Sequence, residues 1–115
     1  MNVRFTGRHV GIGDADREYA EGKVAALARF HRHLMDLEIR VMMDGADMER
    51  VELEADLGRT RAVARAEAQR FRPAFDEAIE ALKRQLLKDK EKVVDRRRRA
   101  SRRNASGNGP EGRTP

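Results

Sequence analysis

The chain has 115 residues, enough for one domain with a single hydrophobic core. It contains no cysteine, which excludes a disulfide framework and a thiolate metal site. No apolar run approaches the roughly 20 residues that span a bilayer, and the first residues lack the apolar stretch of a signal peptide, so a cytoplasmic protein without a membrane partner is expected.

The pattern of residues 2–30 predicts a strand followed by a helix. Residues 2–8 alternate between apolar and polar side chains, which predicts the strand. Gly11 and Gly13 predict a loop, and Gly13 or Asp14 is expected to cap a helix that runs to about Phe30. The buried stripe of this helix is predicted to comprise Ala20, Val24, Leu27 and Phe30 or His31.

Two further alternations, in residues 37–43 and 51–57, are separated by a turn at residues 44–47 and predict a β-hairpin. A row of alanines in residues 62–68 predicts a fourth strand, whose small side chains would let helices approach the sheet closely. From Phe71 the period is helical again. The predicted buried stripe of this last helix is Phe75, Ala78, Ile79, Leu82 and Leu86.

The order β-α-β-β-β-α predicts the fold class: α+β, a two-layer domain in which two helices cover one face of a four-stranded sheet. The first helix connects strands 1 and 2, so these strands are expected to be parallel neighbours. The apolar pattern stops at Val94. We therefore expect one domain over residues 1–94, followed over residues 95–115 by a basic tail that is too polar to fold by itself.

The net charge of +5 is unevenly distributed. Residues 1–82 contain 13 basic and 16 acidic residues, whereas residues 83–103 contain 11 basic and 3 acidic residues. A mildly acidic domain with a strongly basic end favours a polyanionic partner, because lysine and arginine replace the counterions of phosphates.

Two groups of residues carry a resemblance to a known family. The first group resembles the opening strand and first helix of the ribosome hibernation-promoting factor and ribosome-associated inhibitor family (the sigma-54 modulation protein family). It comprises Phe5-Thr6-Gly7-Arg8-His9-Val10, Arg17-Glu18-Tyr19, Lys23 and Leu27. The second group resembles the closing helix of that family and comprises Ala74-Phe75-Asp76, Leu82-Lys83-Arg84-Gln85-Leu86, Lys88, Lys90 and Lys92. The chain departs from the family pattern at Arg70-Phe71-Arg72-Pro73 and at Ala81.

The resemblance implies a short, monomeric hibernation factor whose partners are the small ribosomal subunit, with its 16S rRNA, and the 70S ribosome. Such a protein blocks the tRNA and mRNA channel, inhibits translation and preserves idle ribosomes. This mechanism is steric, so neither catalysis nor a cofactor is expected. Together with the charge distribution, the resemblance predicts an RNA-binding set: Arg17, Lys23, Arg29, Lys83, Arg84, Lys88, Lys90, Lys92, Arg96, Arg97, Arg98 and Arg99.

Several alternatives stay open at this level. The cations of the last helix could form an ordinary solvated face, and the arginine run could be a nonspecific tether. His31 and His33 lack an evident third metal ligand, so contact with the helix C-terminus or with RNA is favoured over zinc. Glu52, Glu54 and Asp56 are interpreted as the solvent face of the sheet, where they would repel phosphates. The rival functions are a double-stranded RNA-binding module and a protein-interaction regulator of transcription.

Overall fold

The computed structural model of the chain describes residues 2–8, 12–45 and 47–106. Its elements, in chain order, are β1 (Asn2–Arg8), α1 (Asp14–Phe30), β2 (Asp36–Asp44), β3 (Met48–Asp56), β4 (Arg61–Ala68) and α2 (Phe71–Ser106). The predicted order β-α-β-β-β-α is therefore confirmed.

The four strands form one sheet in the order β1-β2-β3-β4. β1 and β2 are parallel, as predicted, and α1 provides the crossover that a parallel pair requires. The pairs β2–β3 and β3–β4 are antiparallel and are joined by short turns. Gly45 and Gly58 lie in these turns with φ values of 83° and 88°, a left-handed conformation that glycine adopts without a steric penalty.

The hydrophobic core lies on one face of this sheet. The register places Ile39 of β2 opposite Leu53 of β3, and Leu53 opposite Ala64 of β4. All three are buried, and so are Leu37, Val41, Val51, Ala55 and Ala62 on the same face, whereas Ala66 and Ala68 of β4 are partly buried. Both helices pack on this face, in the predicted two-layer arrangement. Their buried apolar side chains are Ala20, Val24 and Leu27 of α1 and Phe71, Ala74, Phe75, Ala78, Ile79, Leu82 and Leu86 of α2.

Helix α1 begins and ends with backbone contacts. Gly13 is the N-cap, and its carbonyl accepts a hydrogen bond from the backbone N–H of Arg17 at 3.0 Å. No side chain caps this end, but Asp14 and Asp16 in the first turn suit its positive dipole. At the other end the backbone N–H of His31 donates to the carbonyl of Leu27 at 3.0 Å.

Helix α2 continues well past the end of the apolar pattern. Its last buried apolar side chain in the described residues is Leu86, yet the helix extends to Ser106. The boundary expected at residue 94 thus lies inside α2, and the division of the chain into a domain and a basic tail stays a prediction. Residues 107–115 lie outside the described residues. In the part of the chain that is described, no helix is both long and apolar enough to cross a membrane.

Replacement of Phe75 tests this packing. Phe75 is fully buried, with its ring 5.4 Å from that of Phe71 and 6.3 Å from that of Tyr19. We expect Phe75→Ala to lower the free energy of unfolding by about 3–5 kcal/mol, because it removes apolar contacts and leaves a cavity. Urea denaturation followed by circular dichroism measures the change.

Leu87→Ala serves as the control, because Leu87 is 46% exposed on the same helix. We expect this variant to change the free energy of unfolding by less than about 1 kcal/mol. Equal losses for the two variants would contradict the position of Phe75 in the core.

Candidate nucleic-acid interface

The two helices lie side by side and run in the same direction. Near their beginnings the hydroxyl of Tyr19 donates a hydrogen bond to Asp76 Oδ1 at 2.6 Å. Further along, Lys90 Nζ donates to the carbonyl of Phe30 at 3.4 Å. The N-terminal part of α1 thus contacts the N-terminal part of α2 (the early end), and the C-terminal residues of α1 contact α2 further along (the late end). The outward surfaces of the two helices therefore form one layer over the sheet.

At the early end of the helices, carboxylates balance the cations. The Tyr19 ring lies beneath the guanidinium of Arg72 at 4.7 Å and the ammonium of Lys23 at 5.5 Å. Arg72 pairs with Asp16 at 2.8 Å, and Lys23 lies 3.9 Å from Asp76. The hydrogen bond to Asp76 is the main cause that raises the pKa of Tyr19, so this hydroxyl stays neutral.

The two predicted RNA-binding residues of this part of α1 do not lie together. The Arg17 guanidinium sits 4.5 Å above the ring of Phe5, on the flank of α1 that faces β1. Lys23 lies on the other flank, against α2. A single short stretch of RNA therefore cannot contact both side chains.

The predicted cations of α2 form two stripes along the helix. Arg84, Lys88 and Lys92 follow each other at intervals of four residues and form an exposed outer stripe, and none of them pairs with a described carboxylate. Lys83 and Lys90 are seven residues apart and form an inner stripe nearer to α1. Lys83 Nζ lies 3.2 Å from Glu80, so the inner stripe is partly neutralised.

The late end of the helices brings together cations that are far apart in the sequence. Arg29, Lys90 and Arg97 line one cavity of about 410 Å³, next to the ring of Phe30. The Lys90 ammonium is 4.7 Å from the centre of that ring. Three of the predicted RNA-binding residues, one from α1 and two from α2, thus converge here.

The remaining members of the arginine run lie in the last turns of α2. Arg98 is exposed. The backbones of Arg96 and Arg99 belong to α2, but their side chains lie outside the described residues. Their predicted contacts with RNA stay predictions.

A buried network beneath this end was not predicted. The His31 ring is 2% exposed, and its Nε2 lies 3.0 Å from Asp89 Oδ2. The other carboxylate oxygen of Asp89 accepts a hydrogen bond from Arg59 at 2.6 Å. Asp89 therefore joins the end of α1, the turn between β3 and β4, and the middle of α2.

The hydrogen bonds assign the tautomer of His31. The backbone N–H of His33 donates to His31 Nδ1 at 3.2 Å, so Nδ1 acts as the acceptor. The ring proton then resides on Nε2 and is donated to Asp89. The suggestion that His31 contacts RNA is wrong, because its ring points into the protein and both of its nitrogens have partners.

The open face of the sheet is nearly balanced in charge. Among its described side chains the register places five arginines and six carboxylates. Arg40 lies at the centre, within 3.3 Å of Glu38, Glu52 and Glu54. Glu54 also pairs with Arg61 at 2.6 Å. The acids of β3 thus do occupy the solvent face, but Glu52 and Glu54 are paired with arginines, so their repulsion of phosphates is largely cancelled.

These ion pairs shift the pKa values of both partners. Hydrogen bonds from Arg61 and Arg40 hold the pKa of Glu54 below its usual value. The hydrogen bond to Glu54 is the main cause that raises the pKa of Arg40. The pairs stay charged around neutral pH, and the sheet face has little net field with which to attract RNA.

Residues missed by the sequence reasoning include Asp89 and Arg59, together with Arg32, which lines the cavity beside Arg29. Arg32 could have been found from its place three residues after Arg29. Asp89 gave no such signal, because an acid in a basic helical run is typical of a solvated face.

Within the described ranges, no group of three or more His, Cys, Asp or Glu side chains is placed to hold a metal ion. The arrangement is instead one of exposed cations on two helices around a cavity. Such a surface binds phosphate groups.

Comparisons with known proteins agree with this fold. The model of the family described as "Sigma 54 modulation protein / S30EA ribosomal protein" matches residues 3–94. A ribosome hibernation promoting factor from Azotobacter vinelandii is 28% identical over 96 residues, which cover 84% of this chain and 89% of that protein.

Two solved structures are similar to the chain. A ribosomal subunit interface protein from Coxiella burnetii has a TM-score of 0.74 and 24% identity, and the match covers 79% of this chain and 99% of that one. The N-terminal domain of Protein Y from Thermus thermophilus has a TM-score of 0.67 and 29% identity, over 75% of this chain and 96% of that one. At 24% identity, the first of these likenesses concerns the fold alone.

Replacement of Asp89 tests the buried network. Asp89→Ala leaves His31 Nε2 buried without its partner, so we expect the free energy of unfolding to fall by about 1–3 kcal/mol. Arg59→Ala should have a smaller effect, because the Arg59 side chain is 38% exposed and its removal lets water reach the Asp89 oxygen that it bound. Urea denaturation of both variants and of the double variant measures the coupling, and additive losses would show that Asp89 and Arg59 do not act together.

Proposed function

The chain belongs to the Sigma 54 modulation protein / S30EA ribosomal protein family, and from that premise we propose that it is a ribosome hibernation factor that binds the small ribosomal subunit. Its family gives it a ribosome-associated role. The finer proposal is that it occupies the tRNA and mRNA channel, contacts 16S rRNA in the free subunit and in the 70S ribosome, and inhibits translation while preserving idle ribosomes.

One observation supports this proposal above the others: exposed cations without a described carboxylate partner lie on the helical side of the domain. Arg84, Lys88 and Lys92 are exposed on α2 and have no described carboxylate as partner. The arginines of the open sheet face are matched by carboxylates. Counterion release on binding structured RNA is therefore favourable on the helical side and weak on the sheet side.

The proposed mechanism is steric. A compact domain that docks through its helices fills space that tRNA and mRNA would use, so it requires no catalytic group. The described side chains of the open sheet face include no aromatic residue. Base stacking on the sheet, as in RNA-recognition motifs, is therefore not the mode of binding. Contacts with phosphates and with the shape of the RNA supply most of the affinity for the ribosome.

The biological setting follows from the same proposal. The protein acts in the cytoplasm as a monomer, on ribosomes that idle in stationary phase or under stress. The family is one of ribosome-associated factors rather than enzymes, in keeping with a role that needs no cofactor.

Sedimentation of purified subunits tests the partner. We expect the protein to co-sediment with 30S subunits and with 70S ribosomes, but not with free 50S subunits, because its site is formed by 16S rRNA. Sucrose-gradient fractions probed for the protein measure this. Co-migration with 50S alone would contradict the proposal. Ribonuclease-resistant, salt-insensitive capture of a protein partner would favour a regulatory interaction domain instead.

Neutralising three cations tests the surface. The variant Arg84→Gln, Lys88→Gln, Lys90→Gln removes three phosphate contacts from α2. We expect ribosome binding to weaken at every salt concentration, and the plot of log affinity against log salt to flatten by about 2–3 units. Binding titrations at several salt concentrations measure the slope.

A matched control removes the same charge elsewhere. The variant Arg4→Gln, Arg65→Gln, Arg70→Gln also lowers the net charge by three, but these residues lie on the open sheet face and in the turn before α2. We expect this control variant to keep most of the wild-type slope in the plot of log affinity against log salt. Similar slopes for both triple variants would locate the interface away from α2.

A further inference from the structure

Two cavities adjoin at the late end of the helices, and they share three lining residues. One has a volume of about 410 Å³ and the other about 450 Å³. Both are lined by Arg32, His33 and Arg97. We call the pair the end cleft, two cavities joined at these three residues. Each is within the size range of sites for small organic ligands, roughly 300–1,000 Å³.

The first cavity combines cations with an aromatic ring. Phe30 is 38% exposed, and Lys90 and Arg29 lie beside it. Lys90 is held in place twice, by the ring at 4.7 Å and by the Phe30 carbonyl at 3.4 Å. An exposed ring among cations suits a nucleotide, because the base stacks on the ring and the phosphate meets the cations.

The second cavity has an apolar wall. Met35 is 55% exposed and lines it together with Leu57 and Gly58. A Cβ atom at Gly58 would lie 3.4 Å from the Met35 sulfur, so the missing side chain leaves the methionine room. A flexible thioether next to glycine can adapt to a flat base.

Most of the positive charge that lines the end cleft has no carboxylate partner. No described carboxylate lines either cavity. Asp89 lies behind the cleft, where it binds His31 and balances the charge of Arg59, which lines the second cavity. Arg32 and Arg97 have no described ion-pair partner.

We propose that the end cleft binds two successive nucleotides of single-stranded RNA. The linking phosphate lies between the cavities at Arg32 and Arg97, one base packs against Phe30, and the other base packs against Met35. The proposal rests on the proposed function in taking RNA as the partner. A duplex does not fit the cleft, because its bases are stacked and paired and cannot enter two separate cavities.

A short RNA with and without bases tests the proposal. The probes are fluorescein-labelled tetrauridylate and a tetranucleotide of the same backbone and charge in which every position is abasic. They are titrated with the full chain at low salt and followed by fluorescence anisotropy. We expect the abasic probe to bind at least about tenfold more weakly, because stacking of each base contributes a factor of that size.

Single variants separate the parts of the cleft. Phe30→Ala should weaken tetrauridylate binding by about tenfold and weaken the abasic probe much less, because it removes the stacking surface while Lys90 keeps its contact with the backbone carbonyl of residue 30. Arg32→Glu should weaken both probes, because it acts on the phosphate. Arg70→Glu is the matched control for charge: it is exposed and lies about 30 Å from Lys90 along α2. Circular dichroism checks that each variant folds.

Equal binding of the two probes, or no effect of Phe30→Ala, would overturn the proposal. Equal losses for Arg32→Glu and Arg70→Glu would also overturn it, since net charge alone would then explain binding. Sedimentation with 30S subunits, run on the same proteins, separates the two hypotheses. A wild type that co-sediments but shows no preference for bases refutes the end cleft alone, whereas one that prefers bases but ignores 30S refutes the proposed function alone.

Discussion

The burial of one sheet face beneath two parallel helices is the constraint on which the rest of the structure depends. Ile39, Leu53 and Phe75 can leave water only if both helices lie on the same side of the sheet. This arrangement turns the charged sides of both helices outward together. It also leaves the other sheet face to solvent, where polar residues of neighbouring strands lie opposite each other and form ion pairs.

The same packing separates two kinds of charge. Arginines on the sheet meet carboxylates at fixed cross-strand positions, so their fields cancel within a few ångströms. Cations on the outer stripe of α2 have only helix neighbours, and these include few acids. The domain is therefore asymmetric in charge, which is the basis of the proposal that polyanions bind its helical side rather than its sheet side. Such a difference orients a small protein before it makes any close contact.

Asp89 reduces the repulsion between cations at the late end of the helices. This end collects positive charge from α1, from the turn after β3 and from α2, and these cations repel each other. A buried carboxylate that binds His31 and Arg59 joins the three segments, and its charge is balanced by Arg59. Arg32, Lys90 and Arg97 pair with no described carboxylate, so the end cleft keeps their positive charge.

Periodicity alone determined the six elements, their order, the parallel pairing of β1 with β2 and most of the core, because each depends on contacts between near neighbours or on which face is apolar. The charge run likewise predicted a polyanionic partner. The length of α2 was also set by the sequence, since arginine, lysine and alanine favour a helix without an apolar face and α2 continues to Ser106, although the apolar pattern stops earlier. The tertiary structure decided the rest: the partners of Asp89, the convergence of Arg29 with Arg97 and the balance of the sheet face. These depend on how distant segments pack, and side chains 30 to 58 residues apart, such as those joined by Asp89, leave no local pattern in the sequence.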